Sequence, residues 1–170
     1  MPLYLRIAPE LFLKRAVVGG LERVFEVNRN FRNEGADRTH SPEFTMLEFY
    51  QAYADYQVMA TITREIYQEA ALAAVGGLTV EHHDGTVLDL TGVWPQVDLY
   101  ESVSAALGEE ITPLTPREHL VVLCERDGID VAPLAVPGKL VEELFEHHVV
   151  PTFTRPTFVM DYPVDTSPLV

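Results

Sequence analysis

The sequence has little cysteine, no long apolar run and little positive charge, and each shortage excludes a class of protein. Its 170 residues include a single cysteine, Cys124, so an internal disulfide is impossible and a disulfide-stapled secreted domain is excluded. No apolar run is long enough to span a membrane, and no charged-then-apolar leader opens the chain. We therefore expect a protein of the reducing cytoplasm, with Cys124 packed as a small hydrophobic residue.

Basic residues are scarce. There are 12 Lys and Arg against 26 Asp and Glu, which gives a formal net charge of −14. A polyanion binds through lysine and arginine, so we expect affinity for a nucleic acid to reside largely outside these residues. Hydrophobic residues are plentiful at 47%, which is enough for a substantial core in one domain.

Two runs of alternating apolar and polar residues, 23–32 and 43–53, flank a loop rich in glycine, aspartate, arginine and histidine. This pattern predicts an antiparallel hairpin that displays a site. Side chains two apart share a face of a strand. The polar face of the first strand therefore carries Glu26, Asn28, Asn30 and Arg32. One face of the second strand carries Phe44, Met46, Glu48 and Tyr50.

If these two faces form one surface, it presents a guanidinium, carboxylates, a phenol and an exposed aromatic ring. Such a surface suits a flat substrate that is anionic at one end and cationic at the other. An ordinary sheet with one solvated polar face is the alternative, and the spacing alone does not separate the two.

Beyond the hairpin the sequence predicts helices and one small sheet. Helices are expected over residues 10–18, 55–74, 100–107, 116–126 and 139–148, and a second hairpin over 78–81 and 86–90. No chemical motif is recognised in residues 92–138. The adjacent pairs His82-His83 and His147-His148 are interpreted as surface residues and not as metal ligands.

The exact residues of the hairpin carry a resemblance to a known family. FRNEG at residues 31–35, followed by HSPEFTMLEFY at 40–50, closely resembles motif 2 of the class II aminoacyl-tRNA synthetases, in the form found in lysyl-tRNA synthetases. LYLRIAPELFLKR at 3–15 and VVGG at 17–20 are similar to the segment that leads into motif 2. PTFVMDYP at 156–163 and SPL at 167–169 resemble the strand before the last catalytic third. The resemblance therefore runs from end to end.

The resemblance implies an α+β fold in which an antiparallel sheet is flanked by helices, as part of the class II catalytic core. Residues 1–170 would be a partial catalytic domain, with the motif 2 hairpin at about 23–53, a helical and small-sheet insertion at about 55–150 and a strand at about 156–162. An OB-fold anticodon-binding domain, motif 1 and motif 3 are not recognised in the sequence. We therefore expect an internal fragment, inactive alone, of a parent protein that is a homodimer without a membrane anchor.

The implied activity is ATP-dependent conversion of lysine to lysyl-adenylate and its transfer to tRNA(Lys). The implied catalytic residue is Arg32, which would grip the ATP α-phosphate and the substrate carboxylate. The ATP-binding residues would be Arg32, Glu34, Arg38, His40 and Phe44. The lysine-binding residues would be Glu10, Glu48 and Tyr50. No metal ligand is assigned within the chain, and the Mg²⁺ ligands are expected outside it.

Two alternatives remain open on the sequence. The lysyl transferase that modifies elongation factor P shares motif 2, but it usually carries Thr-Ser-Pro-Glu where this chain has IAPE at residues 7–10. Aspartyl and asparaginyl relatives carry Phe-Arg-Ala-Glu at motif 2 and need a different pocket. Outside enzymology, a non-catalytic paralogue could retain the lysine and adenylate half-sites.

Overall fold

The computed structural model describes residues 3–33, 35 and 40–167 and has a mixed α/β fold. The helices are α1 (Glu10–Val18), α2 (Tyr56–Val75), α3 (Leu99–Leu107), α4 (Arg117–Arg126) and α5 (Pro137–His148), with a short 3-10 helix at Val150–Thr152. The strands are β1 (Arg23–Phe31), β2 (Glu43–Gln51), β3 (Thr79–Glu81), β4 (Val87–Asp89), β5 (Gln96–Asp98) and β6 (Phe158–Met160). The chain divides into two compact units, Met1–Met59 and Ala60–Val170. No helix within the described ranges is long and apolar enough to cross a membrane.

Helix α1 of the first unit has the predicted bounds. It begins after Pro9, whose carbonyl accepts hydrogen bonds from the N–H groups of Phe12 at 3.0 Å and Leu13 at 3.1 Å. It ends at Gly19, and Gly20 follows with a φ of 102°. Glycine reaches this region without steric cost, so the glycine pair stops the helix and turns the chain into β1.

The predicted hairpin is present as the antiparallel pair of β1 and β2, in which Phe31 lies opposite Glu43. Beyond the last pair, the N–H of Arg32 donates to the carbonyl of Pro42 at 3.0 Å. At the open end, β2 stops before the predicted residue 53, and Tyr53 has a φ of 57°. A residue in the left-handed region does not continue an extended strand. Alternation therefore predicted the hairpin well and its end less well.

The core of the second unit lies among helices α3, α4 and α5. Its largest fully buried side chains are Leu99, Leu120, Leu140, Leu144, Val103, Val141 and Cys124. Helix α3 starts where the Asp98 carboxylate accepts from the N–H of Glu101 at 2.8 Å, as an N-cap does. Cys124 packs in this core as a small hydrophobic residue, as predicted, and its burial raises the pKa of the thiol.

The second unit also contains two small sheets. The predicted hairpin of β3 and β4 forms around Gly85, which has a φ of 85°. Strands β5 and β6 pair in parallel, with Val97 opposite Val159. Strand β5 was not predicted, because three residues are too few to establish an alternation. Among the described residues there are thus two antiparallel pairs and one parallel pair, and not antiparallel pairing alone.

The interpretation of His147-His148 as a surface pair is wrong for His148. Its Nε2 lies 2.7 Å from Oδ2 of Asp127, and its side chain is only 26% exposed. Asp127 directly follows α4, and His148 is the last residue of α5. The contact therefore joins the ends of two helices that pack in one core.

Candidate functional site

The register of the hairpin joins the two faces that the sequence left separate. Glu26 lies opposite Glu48, and Asn30 lies opposite Phe44. Directly opposed residues of an antiparallel pair point to the same side. One surface, here called the site face, therefore carries Val24, Glu26, Asn28, Asn30, Phe44, Met46, Glu48 and Tyr50. The two faces therefore form one surface, which is the condition on which the predicted site depended.

The site face is the better covered side of the hairpin. Asn30 is 1% exposed, and Glu48 and Tyr50 are partly buried. On the opposite side, Phe25 is 72% exposed and Val27 is 59% exposed. An ordinary sheet buries its apolar side and leaves its polar side in water. Within this chain, the polar side of the hairpin is therefore better covered than its apolar side.

Arg32 and Phe44 come together at the loop end of the site face. The guanidinium carbon of Arg32 lies 5.2 Å from the centre of the Phe44 ring, within the range of a cation–π contact. The Nε of Arg32 also donates to the carbonyl of Ile7 at 3.3 Å. A flat cation therefore already rests on the ring that the resemblance assigns to adenine.

The three predicted lysine-binding residues also come together. The Tyr50 hydroxyl donates to Oε1 of Glu48 at 2.7 Å. Burial raises the pKa of Tyr50, and the hydrogen bond to Glu48 and the charges of Glu48 and Glu10 raise it further. The phenol consequently stays neutral and acts as a donor, while two carboxylates supply negative charge.

An alkylammonium group already lies at this place. The Nζ of Lys14 is 2.5 Å from Oε1 of Glu10 and 5.5 Å from the centre of the Tyr50 ring. The first contact is also an ordinary pair between residues four apart on a helix, with both side chains about half exposed. The site can nevertheless hold an ammonium between a carboxylate and an aromatic ring, which are the groups that stabilise such a cation.

Sequence reasoning missed a second arginine, Arg6. Its guanidinium pairs with the Glu26 carboxylate, and its Nε donates to the carbonyl of Arg29 at 3.0 Å. The hydrogen bond from Arg6, with a second from Asn28, lowers the pKa of Glu26. Arg6 thus neutralises the carboxylate that faces Glu48. The signal was the alternation of residues 3–7, which predicts an extended segment beside the hairpin.

This segment does lie along β1. The N–H of Phe31 donates to the carbonyl of Arg6 at 2.9 Å. His40, another predicted ATP-binding residue, is exposed just before β2. Glu34 and Arg38 lie outside the described residues. The structure therefore brings together Arg32 with Phe44, and Glu10 with Glu48 and Tyr50.

A metal centre built from side chains alone is not found among the described residues. Within residues 3–33, 35 and 40–167, no group of three or more His, Cys, Asp or Glu side chains could hold a metal. Mg²⁺ in nucleotide sites is usually bound by one or two carboxylates together with water and substrate phosphates, which is a different kind of site.

A cavity of about 990 Å³ lies in the second unit, and none of the predicted site residues that the structure describes lines it. Its lining includes the acidic residues Asp98, Glu101, Glu110, Asp161 and Asp165. Carboxylates repel phosphate groups, so this cavity is a poor place for a nucleotide. The site face of the first unit remains the candidate site.

Comparisons with known proteins identify the family of the chain. A family model described as tRNA synthetases class II (D, K and N) matches residues 1–170. Three relatives are each named lysine--tRNA ligase. That of Kineococcus radiotolerans is 61% identical over 169 residues, covering 99% of this chain and 34% of the relative. That of Mycolicibacterium gilvum is 59% identical, with 98% and 34% covered. That of Pelotomaculum thermopropionicum is 47% identical, with 99% and 34% covered.

The chain spans about a third of the length of these curated relatives, each of which it covers to 34%. The family model, in contrast, matches the whole of the chain. The chain therefore belongs to the class II tRNA synthetases of the aspartate, lysine and asparagine group.

Proposed function

We propose that the protein containing this chain is a lysine--tRNA ligase. It would activate lysine with ATP to lysyl-adenylate and pyrophosphate, and then transfer the lysyl group to tRNA(Lys). The observation that carries the proposal is the grouping of Glu10, Glu48 and Tyr50, with the Lys14 ammonium beside Glu10 and the Tyr50 ring. The names of the relatives support the same choice.

The pocket distinguishes among the three amino acids of the family. A buried ammonium needs carboxylates nearby to offset the loss of its hydration. Glu10 and Glu48 supply them, whereas the aspartate side chain would be repelled by both. Asparagine is neutral and would leave the charges uncompensated. The charges of this site therefore favour lysine.

The reacting groups would meet at Arg32. A carboxylate oxygen of lysine attacks the α-phosphorus of ATP, the bond to the bridging oxygen breaks, and pyrophosphate leaves. A planar guanidinium can bind the carboxylate and the α-phosphate together and stabilise the charge that gathers on the pentacovalent phosphorus. Adenine would stack on Phe44, with Glu34 accepting from its amino group and His40 and Arg38 near the outer phosphates.

The remaining features of the whole protein are part of the same proposal. We propose that the hairpin belongs to an antiparallel sheet flanked by helices, with residues 55–150 as an insertion and residues 156–162 entering the rest of the catalytic domain. Mg²⁺ would be bound by residues beyond those described. Affinity for tRNA(Lys) would rest on parts outside this acidic chain, and the parent protein would act as a cytoplasmic homodimer.

Amino-acid-dependent exchange of pyrophosphate into ATP tests the activity in the full-length protein. We expect exchange with lysine and none above background with aspartate or asparagine. Exchange with aspartate equal to that with lysine would refute the proposed substrate. Exchange without transfer to tRNA would favour a ligase that modifies another acceptor, and both acceptors can be compared in one assay.

A further inference from the structure

Asn30 is a buried polar residue of the site face that the proposed reaction does not use. Its side chain is 1% exposed, and neither Nδ2 nor Oδ1 has a hydrogen-bond partner among the described residues. Buried polar atoms in native proteins are almost always paired. A carboxamide with both ends unpaired is therefore an exception that requires an explanation.

The position of Asn30 connects it with Arg32. Phe44 lies directly opposite Asn30, and the Arg32 guanidinium carbon lies 5.2 Å from the centre of the Phe44 ring. Arg32 follows Asn30 by two residues, just beyond the end of β1 at Phe31. The guanidinium thus rests on the ring that lies directly opposite the unpaired amide.

The contacts of Arg32 with other described residues are weak ones. Its Nε donates to the carbonyl of Ile7 at 3.3 Å, which is long for a hydrogen bond. A cation–π contact on a partly exposed ring adds little more. A phosphate or carboxylate group forms shorter, charge-assisted bonds with a guanidinium and would draw Arg32 away from the ring.

We propose that Asn30 is an anion-binding residue that also positions Arg32, and that its two hydrogen bonds form when an anion binds beside Arg32. Its Oδ1 accepts a hydrogen bond from the Arg32 guanidinium, and its Nδ2 donates to the anion that Arg32 grips. A carboxamide suits this role because it offers an acceptor and a donor side by side. The unpaired amide is the energetic cost of keeping a donor and an acceptor ready for the anion.

The inference rests on the proposed function, since the anion is taken to be the ATP α-phosphate or the lysine carboxylate. These two share one chemistry, and separate measurements distinguish them. An increased KM for ATP in a variant of Asn30 would identify the phosphate. An increased KM for lysine would identify the carboxylate.

The test uses Asn30→Leu in the full-length protein, because leucine has a similar volume and no polar atoms. Thr45→Val is the matched control, since Thr45 is exposed on the opposite side of the same hairpin. We expect Asn30→Leu to raise the melting temperature, because an unpaired buried amide is removed. We also expect it to lower kcat/KM for pyrophosphate exchange roughly 10- to 100-fold, the loss of one hydrogen bond to a charged group. Thr45→Val should change neither.

Two results would overturn the inference. A more stable Asn30→Leu protein with unchanged exchange would mean that the amide does nothing in the reaction. A less stable one would mean that the amide has a structural partner elsewhere in the complete protein. Should Asn30→Leu fail to fold, the isosteric Asn30→Asp replaces it. Asn30→Asp cannot donate to the anion and repels it, so we expect a raised KM, and an unchanged one refutes the role.

Equilibrium titration with ATP alone and with lysine alone separates this inference from the proposed function. A wild-type protein that binds neither ligand contradicts the proposed function itself. A wild-type protein that binds both, beside an Asn30→Leu protein that binds both equally well and exchanges normally, contradicts only the role of Asn30.

Discussion

In the proposed site, Glu48 is the residue on which the preference for lysine would depend most. It accepts a hydrogen bond from Tyr50 at 2.7 Å, it is partly buried, and the carboxylate opposite it, Glu26, is already paired with Arg6. Glu48 is therefore left to face an incoming cation. The same reasoning explains why the site face can carry two opposed glutamates without strong repulsion between them.

We expect Glu48→Gln to weaken lysine binding in the full-length protein by about 2 to 5 kcal/mol, because a buried cation loses its charged partner. ATP binding should change little, because Arg32 and Phe44 are untouched. Isothermal titration with each ligand measures both effects. Glu118→Gln, at an exposed carboxylate of α4, is the control. Lysine affinity within twofold of the parent would put Glu48 outside the pocket.

Tyr50 should matter both to affinity and to the pH dependence of stability. We expect Tyr50→Phe to weaken lysine binding by about 1 to 2 kcal/mol, because Glu48 loses a hydrogen-bond donor. The pKa of Tyr50 is raised in the folded protein, so its stabilising effect is present below the ordinary tyrosine pKa of about 10 and is lost as the pH rises further.

The pH effect is measured by unfolding in urea at pH 8 and at pH 11. Wild-type protein should lose more stability between these values than Tyr50→Phe, because phenylalanine has no proton to release. An equal loss in both proteins would show that Tyr50 has an ordinary pKa and lies in an open environment.

At the scale of single residues, the sequence predicted which side chains come together only where the residues match a known motif. The approach of Glu10, Glu48 and Tyr50, and that of Arg32 to Phe44, followed from the resemblance. The alternation of residues 3–7 indicates an extended segment, but not that Arg6 pairs with Glu26. The burial of Asn30 without a hydrogen-bond partner among the described residues had no signal in the sequence. Such contacts are set by the folded chain and not by spacing.

At the scale of the elements, long alternating or periodic runs were predictable and short strands were not. The β1–β2 hairpin, with nine residues in each strand, gives a period that can be counted. Its register also joined two faces that the sequence could describe only one at a time. Strand β5 has only three residues, and its partner β6 is far along the chain. A local sequence pattern therefore could not predict this parallel pair.

The ends of α4 and α5 are joined by Asp127, a contact that sequence reasoning missed. Its Oδ1 accepts from Nε of Arg126 at 2.9 Å, and its Oδ2 lies 2.7 Å from Nε2 of His148. The hydrogen bond from Arg126, followed by that from His148, holds the pKa of Asp127 well below its ordinary value. The stabilising effect is therefore present above the ordinary carboxyl pKa of about 4 and is lost as the pH falls.

We expect Asp127→Asn to lower the melting temperature at pH 7, and the difference from wild type to shrink as the pH falls below about 4. Differential scanning calorimetry across this range measures it, with the exposed Asp130→Asn as control. A difference that stays constant down to strongly acidic pH would mean that Asp127 does not stabilise the fold through its charge.

At the scale of the whole molecule, charge and length define what this chain contributes. A net charge of −14 is unfavourable for binding a polyanion, which agrees with the proposal that tRNA binds through other parts of the protein. The chain covers 34% of each relative, so the relatives are about three times as long as this chain. The chain contributes the hairpin with its site face, and its second unit contributes a separate helical core.

The most direct test of the account is a crystal structure of the full-length protein with a non-reactive analogue of lysyl-adenylate. We expect the side-chain ammonium of the analogue within about 3 Å of the Glu48 carboxylate, its phosphate at Arg32 and its adenine on Phe44. Arg32 should have left the ring and met Asn30. An analogue bound away from the site face, or one whose ammonium points away from Glu48 and Tyr50, would contradict the account.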